Sequence, residues 1–133
     1  MKTLTEIRKE EEEKHTQLFN DCGLFWAFSN EQFATNKTPL QEGEKYVSIG
    51  AGGYLPKHNV DKFCKGMKDI KKWTKEQTKA NKLQEAEIAY ELANHECYYT
   101  GDISDVVDLF AGTYSSDQVK RVYDKERLNH LDD

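Results

Sequence analysis

The hydrophobic positions along this chain change their period twice, and those changes mark out its elements. In residues 4–20, Leu4, Ile7, Leu18 and Phe19 stand among polar neighbours, and Glu6, Glu10, Glu11, Glu12 and Glu13 place acid toward the favourable N-terminal end. The pattern predicts a first helix stopping at Gly23, loosely held in its first turns because Glu11 and Lys14 interrupt the apolar side. Residues 24–28, LFWAF, are short and aromatic and predict a buried strand. Ser29 or Asn30 then caps a helical turn over 31–34, and residues 35–44 read as a loop. Residues 45–49 alternate and predict a second strand. Gly50, Gly52 and Gly53 make a turn, and Tyr54 and Leu55 form a third short strand before Pro56.

From Val60 the period becomes helical. Val60, Phe63, Met67 and Ile70 recur at steps of three and four, as a buried helix face requires. Thr74 and Gln77, with Trp73 just outside, fit a capping box. Neither Gly nor Pro occurs between Met67 and Thr100, which leaves one long helix and two abutting ones both open. Leu83, Ala86, Tyr90, Ala93 and Cys97 continue the spacing to Gly101. Ser104 caps a helix ending near Gly112, and Ser115 with Gln118 boxes the start of a last one through Val119, Val122, Tyr123 and Leu128. The fold expected is α+β and mostly helical: a two- or three-stranded antiparallel sheet within residues 24–55, packed with four or five helices. The core expected is Phe25, Phe28, Val47, Ile49, Phe63, Met67, Ile70, Leu83, Tyr90, Ala93 and Val122.

The length of 133 residues suits one domain, 1–133. Charged residues at 32% and aromatics at 11% describe a folded chain with a heavily solvated exterior rather than a disordered tail. The longest apolar run is five residues, so no membrane or secretory segment is expected. Cys22, Cys64 and Cys97 are odd in number and widely spaced, which predicts reduced, buried thiols in a cytoplasmic protein. Charge is distributed unevenly. Residues 1–56 hold six basic and nine acidic side chains, residues 57–82 nine lysines and three acids, and residues 83–133 four basic and twelve acidic.

Three segments carry candidate chemistry. VSIGAGGYLP has two of the glycines of a dinucleotide-binding turn, but Leu55 takes the third position, Pro56 follows, and no second parallel strand arrives. A hairpin or bulge is the expectation. Lys65, Lys68, Lys72, Lys75, Lys79 and Lys82 repeat at three, four, three, four, three. If residues 60–82 are helical throughout, they form one cationic stripe turned away from the apolar face. Such a stripe suits an acidic protein surface or a phosphate backbone, or is simply a solvated face. It contains no arginine and only one aromatic, Trp73, which weighs against base reading and stacking. ELANHECYYTGD places Glu91 and His95 on one helix face, with Glu96 and Cys97 beside them. Tyr99 stands where HExxH needs its second histidine, and His95 and Cys97 point apart on a helix. His58, Cys64, His95 and Cys97 have no recognised zinc spacing, so no metal and no cofactor are expected. Tyr98, Tyr99, Gly101 and Asp102 form a turn that reads as an exposed recognition patch.

The blocks FWAFSNEQF (25–33), KYVSIGAGGYLPK (45–57) and NHECYYTGDISDV (94–106) together resemble a family of uncharacterised small proteins of bacteriophages and mobile elements. None of the three blocks is a catalytic signature. The resemblance implies an accessory product in the cytoplasm of a bacterial host, one that binds and inhibits or redirects a host or defence complex, as anti-CRISPR proteins do. The function expected is non-enzymatic binding of a bacterial protein or protein–RNA complex, through the lysine stripe or through Tyr98, Tyr99 and Asp102. The alternative is direct nucleic-acid binding by the stripe, and the third reading a small enzyme around His95, Glu96 and Asp102.

Overall fold

Gly50, Ala51 and Gly52, at φ 89, 51 and 83, reverse the chain between the second and third strands. In a computed structural model, which describes residues 1–130, the strands are β1 (Phe25–Trp26), β2 (Tyr46–Gly50) and β3 (Gly53–Pro56). They pair antiparallel in the order β1-β3-β2. The register sets Phe25 and Ser48 opposite Tyr54, Val47 opposite Leu55 and Tyr46 opposite Pro56, with an irregularity between Ser48 and Gly50. The glycine segment is therefore a bulged hairpin, as its sequence predicts, and the third strand runs one residue past 55. The fold is mostly helical α+β as expected, with seven α-helices among the described residues where four or five are expected: α1 (Leu4–Cys22), α2 (Asn30–Asn36), α3 (Val60–Ala80), α4 (Gln84–Asn94), α5 (Cys97–Thr100), α6 (Ser104–Leu109) and α7 (Ser116–Glu126). No helix among the described residues is long and apolar enough to cross a membrane.

The chain divides into two compact units, Thr5–Gln77 and Met1–Leu4 with Thr78–Asp133, the boundary falling inside α3. In the N-terminal unit α1 lies antiparallel to α3. Phe19 meets Phe63 with ring centres 6.0 Å apart. Asn59 donates its amide N–H to the Cys22 carbonyl at 2.8 Å, closing the end of α1. Gly66 lets the helices approach, since a Cβ there would collide with the Leu18 side chain. Thr74, expected to cap a new helix, instead donates its hydroxyl to the Glu11 carboxylate. Trp73 lies under the Lys14 ammonium at 4.6 Å. With both residues taken by α1, the helix runs on to Ala80. One face of the sheet collects Phe25, Tyr46 and Tyr54 against Phe33 of α2, with ring centres 5.0 to 5.7 Å apart.

In the C-terminal unit the buried cluster is Ile88, Leu92, Cys97, Val106, Phe110, Val119 and Val122. Lys82 at φ 57 breaks the helical run before α4, and Glu96 at φ 56 breaks it again after. Between those breaks Ile88 and Leu92 face inward, while Ala86, Tyr90 and Ala93 are exposed. The expected face was wrong here because two aliphatic chains bury more area than alanines and carry no hydroxyl to hydrate. Of the other expected core positions, Phe25, Ile70 and Val122 are buried, and Val47, Phe63, Met67 and Leu83 are partly so. Phe28 and Ile49 are exposed. Ser115 accepts from the Gln118 N–H at 3.1 Å and Gln118 accepts from the Ser115 N–H at 2.8 Å, the predicted capping box.

Candidate interaction surfaces

On α3, side chains advance about 100° per residue. Phe63, Gly66, Ile70, Trp73 and Thr74 occupy the side toward α1 or its buried neighbours, and Lys65, Lys68, Lys72 and Lys75 fall on the opposite side, all exposed. Lys72 stands 3.9 Å from the exposed Glu76 carboxylate. Among the described residues Lys65, Lys68 and Lys75 make no ion pair within 4.0 Å. The four ammonium groups extend over about 15 Å of helix. Lys79 follows on the same helix, in its last turn. Lys82 lies beyond Ala80 in the turn and is not part of the helical stripe, which corrects the six-residue expectation. Trp73 is turned toward α1 and presents no stacking platform among these lysines.

The ELANHECYYTGD segment ends α4 and makes α5. His95 Nε2 lies 3.5 Å from Glu91 Oε2, the i, i+4 pairing its spacing predicts. Asp102 is spent locally: its carboxylate accepts from the Ser104 hydroxyl at 2.6 Å and the Ser104 N–H at 2.9 Å, an Asx turn just before α6, whose N-cap position is Ile103 rather than the expected Ser104. The Ser104 hydroxyl bond, then the N–H bond, hold the Asp102 carboxyl below its ordinary value. Cys97 is buried, and burial, then the charges of Asp102 and Asp105, push its thiol up, against nucleophilic activation. Cys22 is likewise buried and raised by burial, whereas Cys64 is exposed, contrary to the expectation of three buried thiols. Among the described residues no three His, Cys, Asp or Glu side chains gather closely enough to hold a metal ion.

Tyr98 departs from the expected exposed patch. Its ring stacks on His130 at 4.1 Å and lies parallel to Tyr123 at 5.6 Å. Its hydroxyl is buried without a hydrogen-bond partner among the described residues. Burial first, then nearby Glu126, push the phenol up to about 12. Tyr99 is 92% exposed. Ala93, Glu96, Tyr98, Tyr99 and His130 line an open pocket of about 360 Å³. His130 sits some thirty residues away in sequence, and no spacing rule pointed to it.

A second surface was also missed. Trp26, Phe28 and Ile49 are exposed beside the hairpin. Gly53 lies under Trp26 and Ile49, and Gly52 under the Phe28 ring, where a Cβ would collide. The Phe28 N–H donates to Gln32 Oε1 at 2.8 Å, tying the segment to α2. The blocks FWAFSNEQF and KYVSIGAGGYLPK thus meet in one sheet, while NHECYYTGDISDV belongs to the other unit.

Sheet, helices and surfaces together define a small, mostly helical α+β protein with one lysine-covered helix face. Residues 7–128 match a family of unknown function (DUF7659), a span that takes in most of both units, and the chain belongs to that family. No curated protein and no solved structure matches the chain.

Proposed function

We propose that this chain is a non-enzymatic binding protein that docks on an acidic protein surface through Lys65, Lys68, Lys72 and Lys75. The observation that carries the reading is the exposed row itself: four ammonium groups on one rigid helix, turned from α1, only one of them near a carboxylate. Such a row raises association rates with an acidic partner and discriminates against basic ones. An acidic protein is favoured over nucleic acid because the row lacks arginine and Trp73 is covered by Lys14. A catalytic role for His95, Glu96 and Asp102 has less support, since His95 faces Glu91 and the Asp102 carboxylate is bonded to Ser104. In the phage or mobile-element setting that the three blocks imply, the partner is a host or defence protein, or a protein–RNA complex, in the bacterial cytoplasm. Binding inhibits or redirects it.

The test is affinity capture from expressing bacteria, with and without nuclease, using the wild type and a triple variant K68E/K72E/K75E. The expected result is a partner recovered after nuclease treatment, lost with the triple variant, and associating more slowly as salt rises. Retention of short duplex or single-stranded RNA by the purified wild type, with affinity falling steeply between about 50 and 200 mM salt, would replace this reading with direct nucleic-acid binding.

A further inference from the structure

Independently of the lysine face, we infer that the C-terminal unit carries a binding pocket for an organic cation with apolar flanks, walled by Tyr98, Tyr99 and His130 and charged by Glu96. The pocket, about 360 Å³, lies at the small end of the range for ligand sites. Of the five described lining residues three are aromatic, and among them Tyr99, whose ring no other ring covers, is the one that offers an open face. An aromatic ring attracts a cation through its negative face, and most strongly a cation whose alkyl groups also gain from leaving water. Glu96 adds a carboxylate at the same wall. Its φ of 56 lies between α4 and α5, so the chain turns sharply at the pocket.

The rings differ in their role. Tyr98 is pinned between Tyr123 and His130, so that wall is organised before any ligand arrives. Its phenol, pushed up to about 12, stays neutral and adds no repelling or attracting charge near neutral pH. Tyr99 contributes almost nothing to packing, being 92% exposed, yet it stands at the pocket. A ligand would give it the contact the fold does not. The surroundings select sign. Residues 83–133 hold four basic side chains against twelve acidic ones, a field that draws cations and rejects anions. Quaternary ammonium and guanidinium groups share the required chemistry, whether carried by a protein side chain or by a free small molecule.

The experiment titrates the full-length protein, followed by NMR, with choline, with N-acetyl-arginine amide, and with 3,3-dimethylbutan-1-ol, the uncharged analogue of choline. Choline and the arginine derivative should shift the Tyr99 ring and the backbone amides around Glu96 and Ala93. The neutral analogue should bind weaker by about fivefold or more. Tyr99→Ala and Glu96→Gln should each weaken cation binding by about threefold or more, while Tyr99→Phe retains it. Both tyrosine variants alter an exposed ring, so unfolding midpoints matching the wild type show that the fold is intact. Tighter binding of the arginine derivative supports a protein-borne side chain, and tighter binding of choline supports a free cation. Equal affinity for the neutral analogue, cation binding indifferent to Tyr99→Ala, or no shift at these residues overturns the pocket.

Discussion

In the C-terminal unit, seven buried residues, mostly aliphatic, touch one another across four helices and leave the rings of Tyr98, Tyr114 and Tyr123 at the margin. The N-terminal unit instead concentrates rings: Phe25, Phe33, Tyr46 and Tyr54 pack edge to face and stacked on one side of a small sheet, while Trp26, Phe28 and Ile49 remain exposed. Charge is handled differently too. Residues Thr5–Gln77 hold twelve basic and twelve acidic side chains, so their lysine face is a local polarisation within a neutral unit. The other unit holds seven basic against twelve acidic ones and is negative as a whole. The difference teaches that a net charge of −5 describes neither surface, and that an aromatic residue is a poor indicator of burial where a three-stranded sheet is too small to cover both of its faces.

The largest expected effects break each core separately. Phe25→Ala in the sheet should cost about 3 to 5 kcal/mol and Leu92→Ala in the helical cluster about 2 to 5 kcal/mol, measured by urea unfolding. Phe28→Ala is the contrast: at 75% exposure it should cost less than about 1 kcal/mol, and a cost like that of Phe25 would mean Phe28 belongs to the core after all. Next come two local side-chain-to-backbone bonds of the acidic unit. Ser115→Ala, which removes the capping box of α7, should cost about 1 kcal/mol. Asp102→Asn sharpens this with pH. Because the Asp102 carboxyl is held below its ordinary 3.8, its contribution is present above that value and disappears as pH falls through the lowered one. The stability gap between wild type and variant should therefore be constant near neutrality and close in acid. A gap that persists at the lowest pH would assign the effect to something other than charge.

Smaller still, and opposite in sign, are two of the three non-glycine positions at positive φ. Lys82→Gly and Glu96→Gly should each stabilise by about 0.5 to 1 kcal/mol, since glycine adopts positive φ without the Cβ penalty. The smallest effect belongs to the lysine face. K68E/K72E/K75E should change unfolding by about 0.5 kcal/mol or less per residue while abolishing partner recovery. A large loss of stability there would show that the row supports the fold rather than a partner.

Period and punctuation along the chain carried most of the element map. The alternation over 45–49, the glycines at 50, 52 and 53 and the capping chemistry of Ser29 and Ser115 produced the strands, hairpin and helix starts they predict, because each depends only on neighbours a few residues away. The lysine spacing likewise placed Lys65, Lys68, Lys72 and Lys75 on one exposed helix face. What failed was choice between competing local options. Thr74 and Gln77 read as a helix start until Glu11, sixty-three residues away, took the Thr74 hydroxyl. Leu83, Ala86, Tyr90 and Ala93 matched the helical period as well as Ile88 and Leu92 did, and only packing against α6 and α7 selected the aliphatic pair. The pocket was half legible: Glu96, Tyr98 and Tyr99 are adjacent in sequence, but its His130 wall arrives through ring stacking, a contact no periodicity encodes.

By itself, then, the sequence determined where the strands, α3 and α7 begin to within a residue or two, which helix face carries charge and which turn requires glycine, all consequences of backbone sterics and residue spacing. Tertiary structure alone decided which aromatics are buried, where α3 ends and that Tyr98 stacks on Tyr123 and His130. Those outcomes depend on which distant surfaces compete for the same group, and burial goes to the side chain whose removal from water gains most without stranding a polar atom.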